Sequence, residues 1–191
     1  FPRASAAVSS GSQLETQFWK RLALLRERSE SSTELVEFLD VELMPVAQTI
    51  IQWFRSQWEQ DKYNQAIHLQ DHTLSPSDFG FHNILRDPEG ELIFIDFEYF
   101  GWDDPAKLIG DFLLHPAMQL DDGLKSEFVA GAESIYGPNA IERLKIMWPV
   151  LGLCWCLIIL NEFRSDLWVR RIGASGTVTA NSKVLTLDNQ L

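Results

Sequence analysis

The chain has 191 residues, 46% of them apolar and 12% aromatic, enough for one buried core and too apolar for a disordered polypeptide. Its formal charge of −11 argues against a nucleic-acid partner, whose phosphates are held by Lys and Arg, and would suit a cationic small substrate. The longest strongly apolar run, Val150 to Leu160, is about half of what a bilayer-spanning helix requires, so a buried helix and no membrane partner are expected.

Residues 1–13 are small and polar, rich in Ser and Ala, and read as a lead-in or linker without a secretory signal. From Leu14 onward, Leu14, Phe18, Leu22 and Leu25 recur at helical steps. Ser31, Ser32 and Thr33 interrupt that pattern and can cap a second helix. This second periodic stretch carries Leu35, Phe38, Leu39, Leu43, Val46, Ile50, Phe54 and Trp58 and is expected to bend near Pro45, whose missing N–H costs a backbone bond. Around residue 74 the texture changes to a loop, Leu74-Ser75-Pro76-Ser77-Asp78-Phe79-Gly80. Two apolar runs, Ile84-Leu85 and Leu92 to Ile95, flank Asp87-Pro88-Glu89-Gly90 and predict a β-hairpin. Helical spacing resumes after Pro105 and breaks at Pro116. Gly137-Pro138 separates a segment near Phe128–Tyr136 from one near Ile141–Met147, and Val150–Phe163 is the most apolar helix candidate. Cys154 and Cys156 lie within it and read as buried reduced thiols, which favours a cytoplasmic location. Residues 173–191 are polar with weak alternation. The fold class is thus α+β, helix-rich with one small hairpin.

Phosphoryl transfer from ATP needs a carboxylate near the attacking hydroxyl and hard oxygen donors that hold Mg²⁺ against the phosphates. Asp78, Asn83 and Asp96 supply such a set: Asp78 and Asn83 share one loop, and Asp96 closes the second hairpin strand. A hairpin returns its second strand beside its first, which brings Asp96 back toward Asn83. Asp96 follows Leu92-Ile93-Phe94-Ile95, so it is expected to be buried, where a carboxylate needs a partner or a metal.

The run Ser77-Asp78-Phe79-Gly80-Phe81-His82-Asn83-Ile84-Leu85, followed by Ile93-Phe94-Ile95-Asp96-Phe97-Glu98, resembles the catalytic and metal loops of the aminoglycoside phosphotransferase and choline kinase family, whose fold is protein-kinase-like. The resemblance implies Asp78 as catalytic base, and Asn83 and Asp96 as the residues that bind Mg²⁺ and, through it, ATP. Gly101, Asp103, Asp104 and Pro105 are similar, more weakly, to the acidic-proline turn after the metal loop. Pro76-Ser77 stand where the family has His-Gly, and His82 stands next to Asn83 rather than two residues after the Asp. The family's N-terminal lobe, with its Gly-containing hairpin and Lys–Glu pair, finds no counterpart in the mostly helical residues before Asp78. Residues 14–191 are therefore expected to form a kinase-like C-terminal lobe, with the missing lobe as a partner.

Other residues carry plainer readings. His68 and His72 lack the Glu that a zinc-protease helix needs, because Leu69 follows the first His. His82 reads as an orienting or packing residue, and His115 as an ordinary helix-end residue. Glu98 and Asp103 read as acids that support the site from behind or bind substrate, or equally as solvated loop carboxylates, and Trp148, Trp155 and Trp168 read as core aromatics. The expected function is ATP-dependent phosphorylation of a small molecule's hydroxyl; the alternative is a non-catalytic kinase-like lobe that binds or regulates a partner.

Overall fold

The computed structural model describes residues 1–28, 32–59 and 61–163; the tail at 173–191, Ser31 and Trp168 lie outside the described residues. Helix α1 (Gly11–Arg28) buries Leu14, Phe18, Leu22 and Leu25, the stripe read from the sequence. Ser32 caps α2 (Thr33–Glu37), its hydroxyl accepting from the Leu35 N–H at 3.3 Å. The chain then stays helical through a π-helical stretch, Phe38–Leu43, into α3 (Met44–Ser56). Pro45 is the second residue of α3, so the local widening falls immediately before the residue that cannot donate to the preceding turn.

Two small antiparallel sheets follow. Strand β1 (Thr73–Ser75) pairs with β4 (Gly101–Asp103), with Ser75 opposite Gly101. Strand β2 (Ile84–Arg86) pairs with β3 (Leu92–Phe94) in the expected hairpin, Ile84 opposite Phe94. Everything between Ser75 and Gly101 is thus an excursion whose two ends are clamped together by one strand pair.

The opening residues, expected as a polar lead-in, lie along this clamp. Trp102 N–H donates to the Pro2 carbonyl at 2.9 Å, and Ala4 N–H to the Trp102 carbonyl at 3.1 Å. A Cβ on Gly101 would stand 2.4 Å from the Ala4 backbone nitrogen, so only glycine permits that approach. Val8, Ser9 and Ser10 are buried.

Helix α4 (Pro105–Leu114) begins with a cap the sequence supplies directly: Asp104 accepts from the Ala106 N–H at 2.9 Å and Pro105 occupies the first turn. Helix α5 (Asp122–Tyr136) ends at Gly137, which takes φ +80°. The segments Ile141–Met147 and Val150–Phe163, read separately, form one helix, α6 (Pro138–Ile159), continued by a 3₁₀ turn, Leu160–Phe163. Pro149 lies inside it without ending it. Pro138–Phe163 is, among the described residues, the one stretch long and apolar enough to cross a membrane by length and composition. Here it is the central helix: Leu144, Met147, Val150, Leu151 and Leu157 pack into the core formed with α1, α3 and α4. Cys154 is buried as expected, but Cys156 is exposed, because two residues on a helix place neighbouring side chains on different faces.

Buried charges hold this body together. Glu15 accepts from Arg55, Tyr63 and Trp19. Burial alone would raise its pKa, but the hydrogen bonds from Arg55, Tyr63 and Trp19 outweigh that and hold the carboxyl below its usual value. Lys107 lies between Asp111, at 2.7 Å, and Asp103, at 3.3 Å. Burial works against its charge, and the two carboxylates overcome this and raise its pKa.

Candidate active site

The excursion begins under strain. Ser77 has φ +67°, the left-handed region that glycine enters freely and other residues do not. Its N–H donates to Ser75 Oγ at 3.0 Å, and its hydroxyl donates to the Tyr99 carbonyl at 3.2 Å, tying the outgoing leg to the returning one. Asp78 follows immediately. Phe79 then turns inward against Phe94 and Phe112, with centroids 5.9 and 5.3 Å away, and Phe112 packs on Phe128 at 4.2 Å. The loop is therefore pinned to α4 and α5 by aromatic contact rather than by backbone ladders.

Asn83 ends a 3₁₀ turn, Phe81–Asn83, and its Nδ2 donates to the Asp78 carbonyl at 2.9 Å. The Asp78 carboxylate oxygen Oδ2 lies 3.4 Å from the same Nδ2. Across the hairpin, Ile95 N–H donates to the Asn83 carbonyl at 2.9 Å, extending the ladder one residue past β3. Asp96 comes next and leaves the strand with φ +63°, which turns the chain out of the hairpin. Asp96 and Asp78 both act on the Tyr99 hydroxyl, whose pKa is raised chiefly by its hydrogen bond to Glu98 and further by these two charges. The three sequence-derived residues thus lie on one excursion, with Asp78 and Asn83 in contact and Asp96 next to the residue that bonds back to Asn83.

Asp96 is exposed, contrary to the burial expected from its apolar neighbours. Leu92, Ile93, Phe94 and Ile95 are exposed as well, because a two-stranded ribbon has two faces and helices cover little of either. Asp103 departs from expectation in the other direction. It is fully buried and accepts the N–H groups of Val8 and Asp104, both at 2.8 Å, so it is neither a substrate-binding acid nor a solvated one. Glu98 stays exposed. Trp155 is partly buried and Trp148 is 37% exposed, so neither is fully a core residue. His72 is held by Ser9 Oγ at 3.0 Å and the His68 carbonyl at 3.0 Å, both within the protein.

One residue at the site was not legible as functional. His115 terminates α4 as expected, yet its Nε2 lies 3.8 Å from Asp78 Oδ1. His82 Nε2 lies 3.2 Å from the same oxygen, and the two imidazoles stack at 4.6 Å, 21° apart. Gly80 makes room for this stack: a Cβ there would stand 2.7 Å from the His82 ring. Nothing in the local sequence around His115-Pro116 signals this, since the contact depends on where α4 ends in space.

The donor set fits Mg²⁺ in kind. The Asn83 amide oxygen and the Asp96 carboxylate are hard oxygens, and the exposure of Asp96 leaves room for the waters this ion retains. An apolar cavity of about 530 Å³ adjoins the loop, walled by Leu74, Pro76, Phe79, Phe94, Phe97 and Phe128 among others.

No protein-family model matches the sequence, and no curated protein matches it. Among solved structures, the chain is similar to an ethanolamine kinase of Plasmodium vivax, with 18% identity and a TM-score of 0.51. The match covers 89% of this chain and 50% of that one, so the chain spans about half the length of the kinase it matches. At such low identity the likeness concerns architecture alone: the chain has a distant kinase-like fold, mostly helical with small antiparallel sheets.

Proposed function

We propose that the chain is the catalytic half of an enzyme that transfers the terminal phosphoryl group of Mg·ATP to a hydroxyl of a small molecule. The observation that carries this reading is the convergence of Asp78, Asn83 and Asp96 on one excursion, held by the Ile95–Asn83 backbone bond of 2.9 Å. Asp78, on a pinned loop and partly exposed, orients the hydroxyl and accepts its proton as the new P–O bond forms. Asn83 holds the Asp78 backbone through its Nδ2; its amide oxygen and the Asp96 carboxylate would be the residues to hold Mg²⁺. Mg²⁺, when bound, neutralises charge on the phosphates. The expectation of a cationic substrate rests on the net charge of −11. The cavity beside Pro76 and Phe79 is apolar, which supports a substrate that also carries an apolar part. Nucleotide binding calls on a second half, and cytoplasmic location remains part of the proposal.

The test is Asp78→Asn in the protein joined to its nucleotide-binding half, assayed by transfer of labelled phosphate from ATP to amino alcohols and sugars. Turnover is expected to fall by about 10²–10⁴-fold with ATP affinity retained. Undiminished turnover would remove Asp78 from the mechanism. The exposed apolar hairpin, with Leu85 and Leu92 more than half accessible, favours a second reading. There the lobe binds a partner without catalysis, and no hydroxyl compound is phosphorylated by the wild-type protein.

A further inference from the structure

One ligand atom each from Asp78, His82 and His115 lie within 4.8 Å of one another, a spacing that on distance alone could suit a transition metal. The hydrogen bonding of His115 points elsewhere. Its Nδ1 accepts the Ala117 N–H at 3.1 Å, so that nitrogen carries no proton. In a neutral imidazole the proton then sits on Nε2, the atom directed at Asp78 Oδ1. A protonated Nε2 has no lone pair to give a metal, but it is a donor aimed at a carboxylate.

The surroundings of His115 keep the ring in that role. It is largely buried, stacked on His82 on one side and met edge-on by Trp155 at 4.8 Å on another. Trp155 Nε1 donates to Asp111 Oδ1 at 3.0 Å, and the other oxygen of Asp111 accepts from buried Lys107 at 2.7 Å. Trp155 is therefore itself fixed, by an ion pair anchored in α4. Burial, chiefly, together with the neighbouring His82, lowers the pKa of His115 and keeps the ring neutral, while the Asp78 and Asp111 charges oppose this. Asp78 Oδ2 faces Asn83 Nδ2 at 3.4 Å, so each carboxylate oxygen has a side-chain nitrogen nearby.

We propose that His115, together with the His82 ring on which it stacks, is a positioning residue that holds the carboxylate of Asp78 through its Nε2–H. The present 3.8 Å is longer than a hydrogen bond, as such contacts often are before substrate arrives. The consequence for catalysis rests on Asp78 being the base; the contact itself does not. Aspartate turns freely between rotamers on a surface loop, and a base that must meet one hydroxyl at one angle benefits from losing that freedom.

The experiment is nuclear magnetic resonance on the 191-residue chain, with no ligand and no assay. Long-range ¹H–¹⁵N spectra of the wild type at neutral pH are expected to place the His115 proton on Nε2. A proton on Nδ1, or on both nitrogens, overturns the proposal without any variant having to fold. Three-bond couplings across χ1 of Asp78 are expected to report a single rotamer in the wild type. His115→Phe, which keeps a flat ring but removes the donor, should average them, and His115→Gln, which restores an N–H, should recover the single rotamer. An Asp78 rotamer as fixed in His115→Phe as in the wild type overturns the proposal. In the joined enzyme, His115→Phe should lower kcat about tenfold at unchanged KM for ATP. If Asp78→Asn leaves turnover intact, the kinase reading fails while the rotamer couplings still decide the role of His115.

Discussion

Asp103 and Asp104 stand at the foot of the excursion, and Asp78 and Asp96 stand within it. The first pair is fully buried and each member is partnered: Asp103 by two backbone N–H groups and Lys107, Asp104 by the α4 N-terminus and Arg143. The second pair is accessible: Asp96 is exposed, and Asp78 is 43% exposed with its neighbours at 3.2–3.8 Å. Carboxylates of the same chemical type therefore divide by burial into those that fix where the strands and α4 meet and those left available to a ligand. A buried charge is tolerable only with partners, whereas a group that must bind metal or accept a proton cannot have its oxygens already saturated.

The comparison breaks most sharply at Lys107. Replacing it by Met leaves fully buried Asp103 and partly buried Asp111 without their shared cation. Breaking a buried pair from one side costs about 3–5 kcal/mol, so Lys107→Met should lower stability by that order in urea unfolding. Asp96→Ala, at the exposed end of the comparison, should change it by less than about 0.5 kcal/mol. Equal losses in the two variants would show that burial is not what separates the two groups.

Glu15, on α1, offers a third buried carboxylate, with a titration that can be followed. Its partners hold its pKa below the unfolded value, so its contribution is complete above that value, near pH 4.5. As pH falls below it the unfolded chain takes up the proton first, and the contribution disappears once the pH has passed through the lowered folded value. Glu15→Gln should therefore cost about 2 kcal/mol near neutral pH, with the deficit relative to wild type shrinking below about pH 4.5. Arg55 is more than half exposed on its own side chain and can return to water, which keeps the cost below that expected for Lys107. A deficit that stays constant down to acid pH would show that the wild-type carboxylate gains nothing from its partners.

The same division by burial explains what was legible in the sequence. Helical stripes such as Leu14-Phe18-Leu22-Leu25 are dictated by one face meeting a core, and they came through intact. The hairpin followed from two apolar runs around a Pro/Gly turn, and with it the return of the chain at Ile95 to Asn83. Burial of Asp96 did not follow, because an apolar strand is buried only if another layer covers it, and sequence periodicity carries no information about that layer. Nor did the roles of Asp103 and His115. Both depend on contacts with residues remote in the chain, Val8 for one and Asp78 for the other. Ile141–Met147 and Val150–Phe163 read in the sequence as separate segments, whereas packing on α1, α3 and α4 accompanies one continuous helix with Pro149 inside it.

The smallest expected effect concerns the residue just before Asp78. Ser77 stands where the resembled family carries glycine, yet its backbone keeps a left-handed φ of +67°. Ser77→Ala and Ser77→Gly both lose the hydroxyl bond to the Tyr99 carbonyl, so comparing these two variants isolates the backbone from the side chain. A left-handed alanine carries a Cβ too close to the following carbonyl, a strain of about 1–2 kcal/mol that glycine avoids. Glycine gives back part of that advantage through its freer unfolded chain, by about 0.4–1 kcal/mol. Ser77→Gly is thus expected to be more stable than Ser77→Ala by about 0.5–1 kcal/mol, measured by urea unfolding of the two variants side by side. The reverse order would mean that the loop entering Asp78 does not hold this conformation in solution.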